Sequence, residues 1–248
     1  MSTLFRKAKQ NRIFQDVVDQ IQAAILDGRL SPGDRLPAER ELGEMLGTSR
    51  GTLREALRVL EHKGLIEIRL GVGGGAVVKD PGGDQITESL AMLIRRQKVS
   101  LRHLAEFRED VESTVAGLAA ERATSHDISH LRQLLRKARA CWETGVAEWA
   151  EFVRVDEQIH MALARAAGNP VYAIILKTVH DNIHIYYNRF LPAGENELNE
   201  NFQDLNQLVE AVAGGNVERA QELARDHVHR FNRYMKKKKR ELNDSFKF

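Results

Sequence analysis

Arginines crowd one short stretch of this chain, the run Thr48, Ser49, Arg50, Gly51, Thr52, Leu53, Arg54, Glu55, Ala56, Leu57 and Arg58. A guanidinium is planar and forks its donors, so it suits the O6/N7 edge of guanine or a phosphate. Farther along, Asp156 and His160 stand at i and i+4. On a helix they share one face, where a carboxylate oxygen and an imidazole nitrogen can meet at one metal ion. The same spacing serves equally for a helix-surface hydrogen bond or a polar pair in a core. Arg108 and Glu112 repeat it, a spacing that by itself suits an i,i+4 ion pair on a solvated face. The run Gly71, Val72, Gly73, Gly74, Gly75 invites comparison with nucleotide-binding loops. Those loops join a strand to a helix and, in the P-loop, carry Lys followed by Ser or Thr. This run joins two strand-like segments and lacks that pair, which excludes the nucleotide reading. The single cysteine, Cys141, excludes an internal disulfide and any thiolate zinc cluster, and reads as a small core residue near a helix end.

These residues need elements to hold them. Phe14, Val17, Val18, Ile21, Ala24 and Ile25 recur with helical period from about Ile13, and Gly28 stops the pattern. Pro37 suits the first turn of a short helix carrying Leu42, Met45 and Leu46, ended by Gly47. Thr48 and Ser49 are both good N-caps for a third helix, with Leu53, Ala56, Leu57 and Leu60 as its apolar stripe and Gly64 as its end. With that stripe buried, Ser49, Arg50, Thr52, Arg54 and Arg58 face outward, and Arg35 and Arg40 lie around the preceding helix. Residues 65–70 alternate as a strand, and residues 76–79 return as a second. Three helices and a hairpin make a winged helix-turn-helix, whose second paired helix enters the major groove of DNA. The glycine-rich tip then serves as a wing able to approach phosphates without side-chain clash.

Beyond residues 80–86, a linker, no strand is expected. Helical periods recur at 87–96, 101–124, 127–143, 147–167, 170–190, about 196–213 and 216–240. Asn169 and Pro170 mark a helix break and restart. The expected fold is therefore mainly α: a winged-helix domain over 11–79, and an all-α antiparallel bundle of seven helices over 87–240.

The chain has 248 residues, 42% hydrophobic and 29% charged, as in globular proteins, and no apolar run long enough for a membrane span. Its opening lacks the apolar core of a secretory signal, so a cytoplasmic location is expected. Residues 1–78 hold twelve Lys/Arg against ten Asp/Glu, residues 81–235 eighteen against twenty-two, and residues 236–248 six against two. Basic ends around a mildly acidic middle permit a nucleic-acid-binding N-terminus. The basic tail reads as a frayed, solvated helix end.

Residues 13–78, and above all the stretch from Pro32 to Val78, resemble the DNA-binding domain of the GntR family of bacterial repressors. The resemblance implies DNA contacts from Arg35, Arg40, Ser49, Arg50, Thr52 and Arg54, with Leu70 and Gly71 at the wing. The family's usual Gly-Val-Ser-Arg is Gly-Thr-Ser-Arg here, and the wing is richer in glycine. Residues 87–235 resemble the seven-helix sensor, the FCD domain, of the FadR subgroup. That implies a homodimer on double-stranded operator DNA, controlled by a small organic acid and, in metal-binding members, by a divalent ion such as zinc, nickel or manganese. By this resemblance Asp156, His160 and His227 are metal ligands, while a fourth position, usually His, is Leu205. Asp204, Asn206, His180 and His184 are nearby alternatives to it. Arg108 matches an arginine that lines the effector pocket, with Asn182, Tyr186 and Arg189 as further contacts; Tyr186 equally suits plain core. Two rival readings stand behind this one, and the chain is not expected to be an enzyme, since no nucleophile–base arrangement is evident in it. One is a small metal-dependent enzyme built on Asp156, His160 and His227; the other is a non-specific architectural DNA binder.

Overall fold

A computed structural model describes residues 12–71, 74–80, 83–96, 98–191 and 193–245. The side chains of residues 12, 185, 188–190 and 239–245 are not among what is described. The expected domain start at residue 11, with Val72, Gly73 and Pro192, therefore falls outside the described residues. The chain divides into two compact units, residues 1–85 and 86–248.

In the first unit, α1 (Arg12–Leu26) and α3 (Arg50–His62) pack together, with α2 (Glu39–Met45) against α3. Val17, Val18 and Ile21 of α1 meet Leu53, Ala56, Leu57 and Leu60 of α3, joined by Leu36, Leu42, Ile66 and Ala76. Each of the Val, Leu and Ile side chains contributes about 1.5–3 kcal/mol of burial, which holds the third helix by one face only. Ser49 is its N-cap: Oγ accepts from the backbone N–H of Thr52 at 3.2 Å. Gly64, at φ +70°, lets the chain leave the helix for the hairpin. Ser49→Ala is expected to cost about 1 kcal/mol and loosen the first turn of α3, read as faster amide exchange at Thr52.

The hairpin pairs β1 (Ile66–Arg69) with β2 (Gly75–Val78), antiparallel, with Ile66 opposite Val78 and Arg69 opposite Gly75. Backbone around Arg35 bridges the other edge of β2 at Val77. Gly74 is dictated by the turn itself, because a Cβ there would stand 2.4 Å from the carbonyl oxygen of Arg69. Three expectations are corrected here. Pro37 precedes α2 instead of lying in its first turn, since Ala38 is the N-cap. Met45 is 69% exposed and takes no part in the core. The last three residues of the expected 80–86 linker are already helical, because Asp84 opens α4 (Asp84–Arg95) and its charge suits a helix N-terminus.

The second unit continues with α5 (Leu101–Arg122), α6 (Ser125–Thr144), a short 3-10 turn at Val146–Glu148, α7 (Trp149–Ala166), α8 (Pro170–Phe190), α9 (Glu195–Ala213) and α10 (Val217–Ser245). Caps place the breaks. Thr124 and Asp127 close a reciprocal capping box, so α6 starts two residues before the expected 127. The Asn169 side chain accepts from Val171 N–H, and Pro170 occupies the first turn of α8. Cys141 is buried near the end of α6. The last helix runs to Ser245, past the expected 240.

α5 is the hub, packing against α7, α8, α9 and α10. It therefore buries residues around its girth, among them Leu104, Arg108, Glu112, Val115, Ala116 and Ala119. Gly117 lets α10 come close, since a Cβ there would meet the Gln221 side chain at 2.6 Å, and Ser113 Oγ donates to the Gln221 carbonyl nearby at 2.9 Å. No helix among the described residues is long and apolar enough to cross a membrane.

Candidate functional site

Two places hold the chemistry that the sequence singled out. The first is the outer face of α3. Arg50, Arg54 and Arg58 are exposed, and Thr52 is half-buried beneath the cap, its hydroxyl 2.9 Å from Ser49 Oγ. Arg54 Nε stands 3.4 Å from Glu39 of α2, an exposed pair worth at most about 1 kcal/mol and easily given up. Arg35 and Arg40 are also exposed. At the hairpin tip Leu70 is 93% exposed, followed by Gly71 at φ +94°. Seven of the eight proposed contact residues are thus exposed, and Thr52 is half-buried.

The second place lies inside the helical unit. Arg108 and Glu112 do pair at 2.5 Å, but not on a solvated face: they are 1% and 2% exposed. Period alone could not show this, because α5 is enclosed on several sides. Arg108 Nη1 also donates to the Tyr187 hydroxyl. Glu112 Oε1 lies 3.2 Å from His180 Nε2, and Glu112 Oε2 lies against His160 Nδ1. His160 Nε2 is 3.7 Å from Asp156 Oδ2, and Asp156 Oδ1 is 3.1 Å from His227 Nε2. His227 Nδ1 in turn faces Asp204 at 3.5 Å, and Arg230 Nε faces the same carboxylate at 3.0 Å. Charged and imidazole groups therefore run from α8 and α5 through α7 to α10 and α9.

Such a cluster can exist away from water only because each charge has an opposite neighbour. Burial alone would raise the Glu112 carboxyl, yet Arg108, His160 and His180 hold it well below the usual range. Asp156 is likewise kept low against burial by His160 and His227. Burial and the Arg108 charge push His180 down. Burial opposes a charged His227, but the carboxylates of Asp156 and Asp204 prevail and push it up to about 9.

Among the described residues, two groups of donors converge closely enough for one ion: Asp156, His160 and His227, and Glu112, His160 and His180. The second already has a guanidinium 2.5 Å from its carboxylate, which repels a dication. The first fits better. His160 Nε2 is buried without a hydrogen-bond partner, while its Nδ1 rests on Glu112, and His227 has Asp204 behind it. A carboxylate behind each ligating imidazole is the arrangement that orients metal-binding histidines. His180 Nδ1 and both amide atoms of the enclosed Asn201, one helical turn before Leu205, also lack partners.

The families that match this chain are the gntR family of bacterial regulatory proteins, over residues 14–75, and the FCD domain, over residues 103–230. The chain belongs to the GntR family, in its FCD-bearing branch. The HTH-type transcriptional regulator LutR of Bacillus subtilis is 29% identical over 213 residues, covering 82% of this chain and 92% of that protein. The HTH-type transcriptional repressor NanR of Klebsiella aerogenes is 32% identical over 170 residues, covering 67% of this chain and 63% of that protein. A solved structure, Streptococcus agalactiae GntR, matches with a TM-score of 0.71 at 24% identity, over 89% of this chain and 99% of that one.

Within this GntR-family chain the other expected effector contacts fare unevenly. The Asn182 side chain braces the fold, because its amide donates to the carbonyls of Thr87 (3.1 Å) and Thr178 (2.9 Å) and so ties α4 to α8. Tyr186 packs half-buried against a core of Leu104, Val153, Val179 and Ile183. Its neighbour Tyr187, which sequence reasoning missed, is the one that reaches Arg108. The Arg189 side chain falls outside the described residues. Leu205 is fully buried. Of the alternatives to it, Asp204 backs His227, His180 backs Glu112, His184 pairs with Glu157 at 2.7 Å, and Asn206 is half-buried.

Proposed function

We propose that this chain is an effector-controlled repressor that binds a pseudo-palindromic operator as a homodimer in the cytoplasm. Two copies related by a two-fold axis present two α3 helices to successive major grooves. Ser49, Arg50, Thr52 and Arg54 read bases and adjacent phosphates, Arg35 and Arg40 grip phosphate, and Leu70 and Gly71 carry the wing to the neighbouring groove. In the helical unit Arg108 receives the carboxylate of a small organic acid. Asp156, His160 and His227 hold a divalent ion (zinc, nickel or manganese), whose chemistry there is that of a Lewis acid fixing an anionic ligand. With Leu205 at the fourth place, three protein ligands leave positions for water or the acid. A ligand alters operator affinity only by preferring one arrangement of the DNA heads over the other.

The observation that carries this reading is the enclosed Arg108 among three histidines and two carboxylates, a site built at the cost of desolvation. Similarity to the repressor NanR supports repression over activation. Melting curves of the full chain with a series of small carboxylates, each with and without the three metals, test it. One acid is expected to raise the melting temperature, by the equivalent of about 2.7 kcal/mol at a hundred times its Kd. No stabilisation by any acid under any metal condition contradicts it.

Zinc affinity is expected to climb with pH. His227 sits above its ordinary value of 6.5, at about 9, so below that pH an ion must displace its proton. The sign follows. In the metal-free protein the stability due to charged His227 is complete below about 6.5 and is lost as pH rises through 9, while competition with zinc eases over the same span. Chelator competition should show affinity rising about tenfold per pH unit between 7 and 8, and a flat profile contradicts His227 as a ligand.

A further inference from the structure

We propose that the effector is a carboxylate with an apolar tail, admitted between α7 and α8 past Tyr187, whose hydroxyl it displaces from Arg108. This rests on the reading above that Arg108 takes the acid. A cavity of about 560 Å3 is lined by Trp149, Ala150, Val153, Leu191 and the Tyr187 ring, with Arg154, paired to Glu151, and the mutually bonded Glu157 and His184 on its polar side. That volume is in the range of small-molecule sites. Tyr187 belongs to both places: its ring lines the cavity, and its hydroxyl accepts from the buried Arg108. His180, His184 and Tyr187 lie along one face of α8, at spacings of four and three residues, so that face leads from the cavity to the cluster.

Arg108 has two partners of unequal strength. Glu112 is charged, bonded at 2.5 Å, and also holds His160 and His180, so displacing it would strand several groups. Tyr187 is neutral, and its hydroxyl stays protonated because burial pushes its pKa up. A carboxylate bonds a guanidinium about twice as strongly as a neutral oxygen does, so an incoming acid takes the Tyr187 place and leaves Glu112 where it is. Its remaining body then extends back into the cavity. There Glu157 is already bonded to His184 and Arg154 to Glu151, while Trp149, Val153, Leu191 and Tyr187 favour an alkyl or aryl group over a hydroxylated one.

Calorimetric titration of the full chain with 3-phenylpropanoate, acetate and glucuronate tests this. 3-Phenylpropanoate is expected to bind at least about tenfold more tightly than either other acid, from burial of its tail. Ala150→Trp, at an exposed helical position on the cavity wall, is expected to abolish that preference while acetate binding persists. Tyr187→Phe keeps the ring but removes the competing hydroxyl, and should tighten 3-phenylpropanoate binding by about two- to tenfold. The double variant Arg108→Gln/Glu112→Gln, neutral at both positions, should lose all three acids. If it binds them as the wild type does, the reading of Arg108 itself fails. If it loses them but 3-phenylpropanoate holds no advantage, or Ala150→Trp leaves that advantage intact, or Tyr187→Phe does not tighten binding, the cavity and its tyrosine are not the route. Absence of any 3-phenylpropanoate binding to the wild type overturns the proposed ligand class.

Discussion

Glu112→Gln is expected to destabilise the helical unit by about 3–5 kcal/mol, although it changes a single atom type. The carboxylate is 2% exposed and serves Arg108, His160 and His180 together. An amide keeps the shape but leaves the Arg108 charge enclosed without an opposite charge beside it. For a unit of about 160 residues, each kcal/mol lowers the melting temperature by about 2–4 °C, so a fall of roughly 6–20 °C is expected by calorimetry. Replacing both members with apolar residues, Arg108→Met/Glu112→Leu, should cost markedly less than Glu112→Gln alone, because no charge is then stranded. A melting temperature within a degree or two of the wild type in Glu112→Gln would show that the pair is solvated, and with it the enclosed cluster would be lost.

Arg50→Ala combined with Arg54→Ala carries the second large effect. Each arginine that reads a base edge is worth about 1–3 kcal/mol, so together their removal should weaken binding to a duplex selected from random sequence by on the order of 100-fold or more. Stability should hardly move, because both side chains are exposed and Arg54 gives up only a surface pair with Glu39. Salt dependence separates the two kinds of contact. Each lost phosphate contact lowers the slope of log affinity against log salt by about one, whereas a lost base contact relaxes sequence preference without changing it. Unchanged affinity in the double variant contradicts the placement of α3 in the groove.

How much of the fold and site is legible in the residues follows from what each pattern encodes. The stripe Leu53, Ala56, Leu57 and Leu60 has one solution as a helix, so the outward arginines could be read directly, and the cap could be narrowed to Thr48 or Ser49, of which the structure uses Ser49. Asp156 and His160 share a helix face by spacing, and they do converge. What could not be read was which helix stands opposite. Glu112 became the link between Arg108, His160 and His180 only through the packing of α5 against α7 and α8. Tyr186 and Tyr187 are adjacent and chemically equal, and a rotation of about 100° decides that Tyr187 meets Arg108 while Tyr186 packs elsewhere. Asn182 is expected beside Arg108 as an effector contact, and two backbone carbonyls claim its donors. Asn201 gave no local signal, since its interest lies in being enclosed with nothing to bond.

If α3 reads DNA and the enclosed cluster senses an acid, one measurement addresses the coupling between them. The affinity of the full chain for its selected duplex is measured with and without an acid shown by calorimetry to saturate the helical unit, in the wild type and in Arg108→Gln/Glu112→Gln. The expected result is an acid-dependent change in duplex affinity of tenfold or more in the wild type, equivalent to about 1.4 kcal/mol of coupling, and none in the variant. Duplex affinity that stays the same while the acid is demonstrably bound would contradict it.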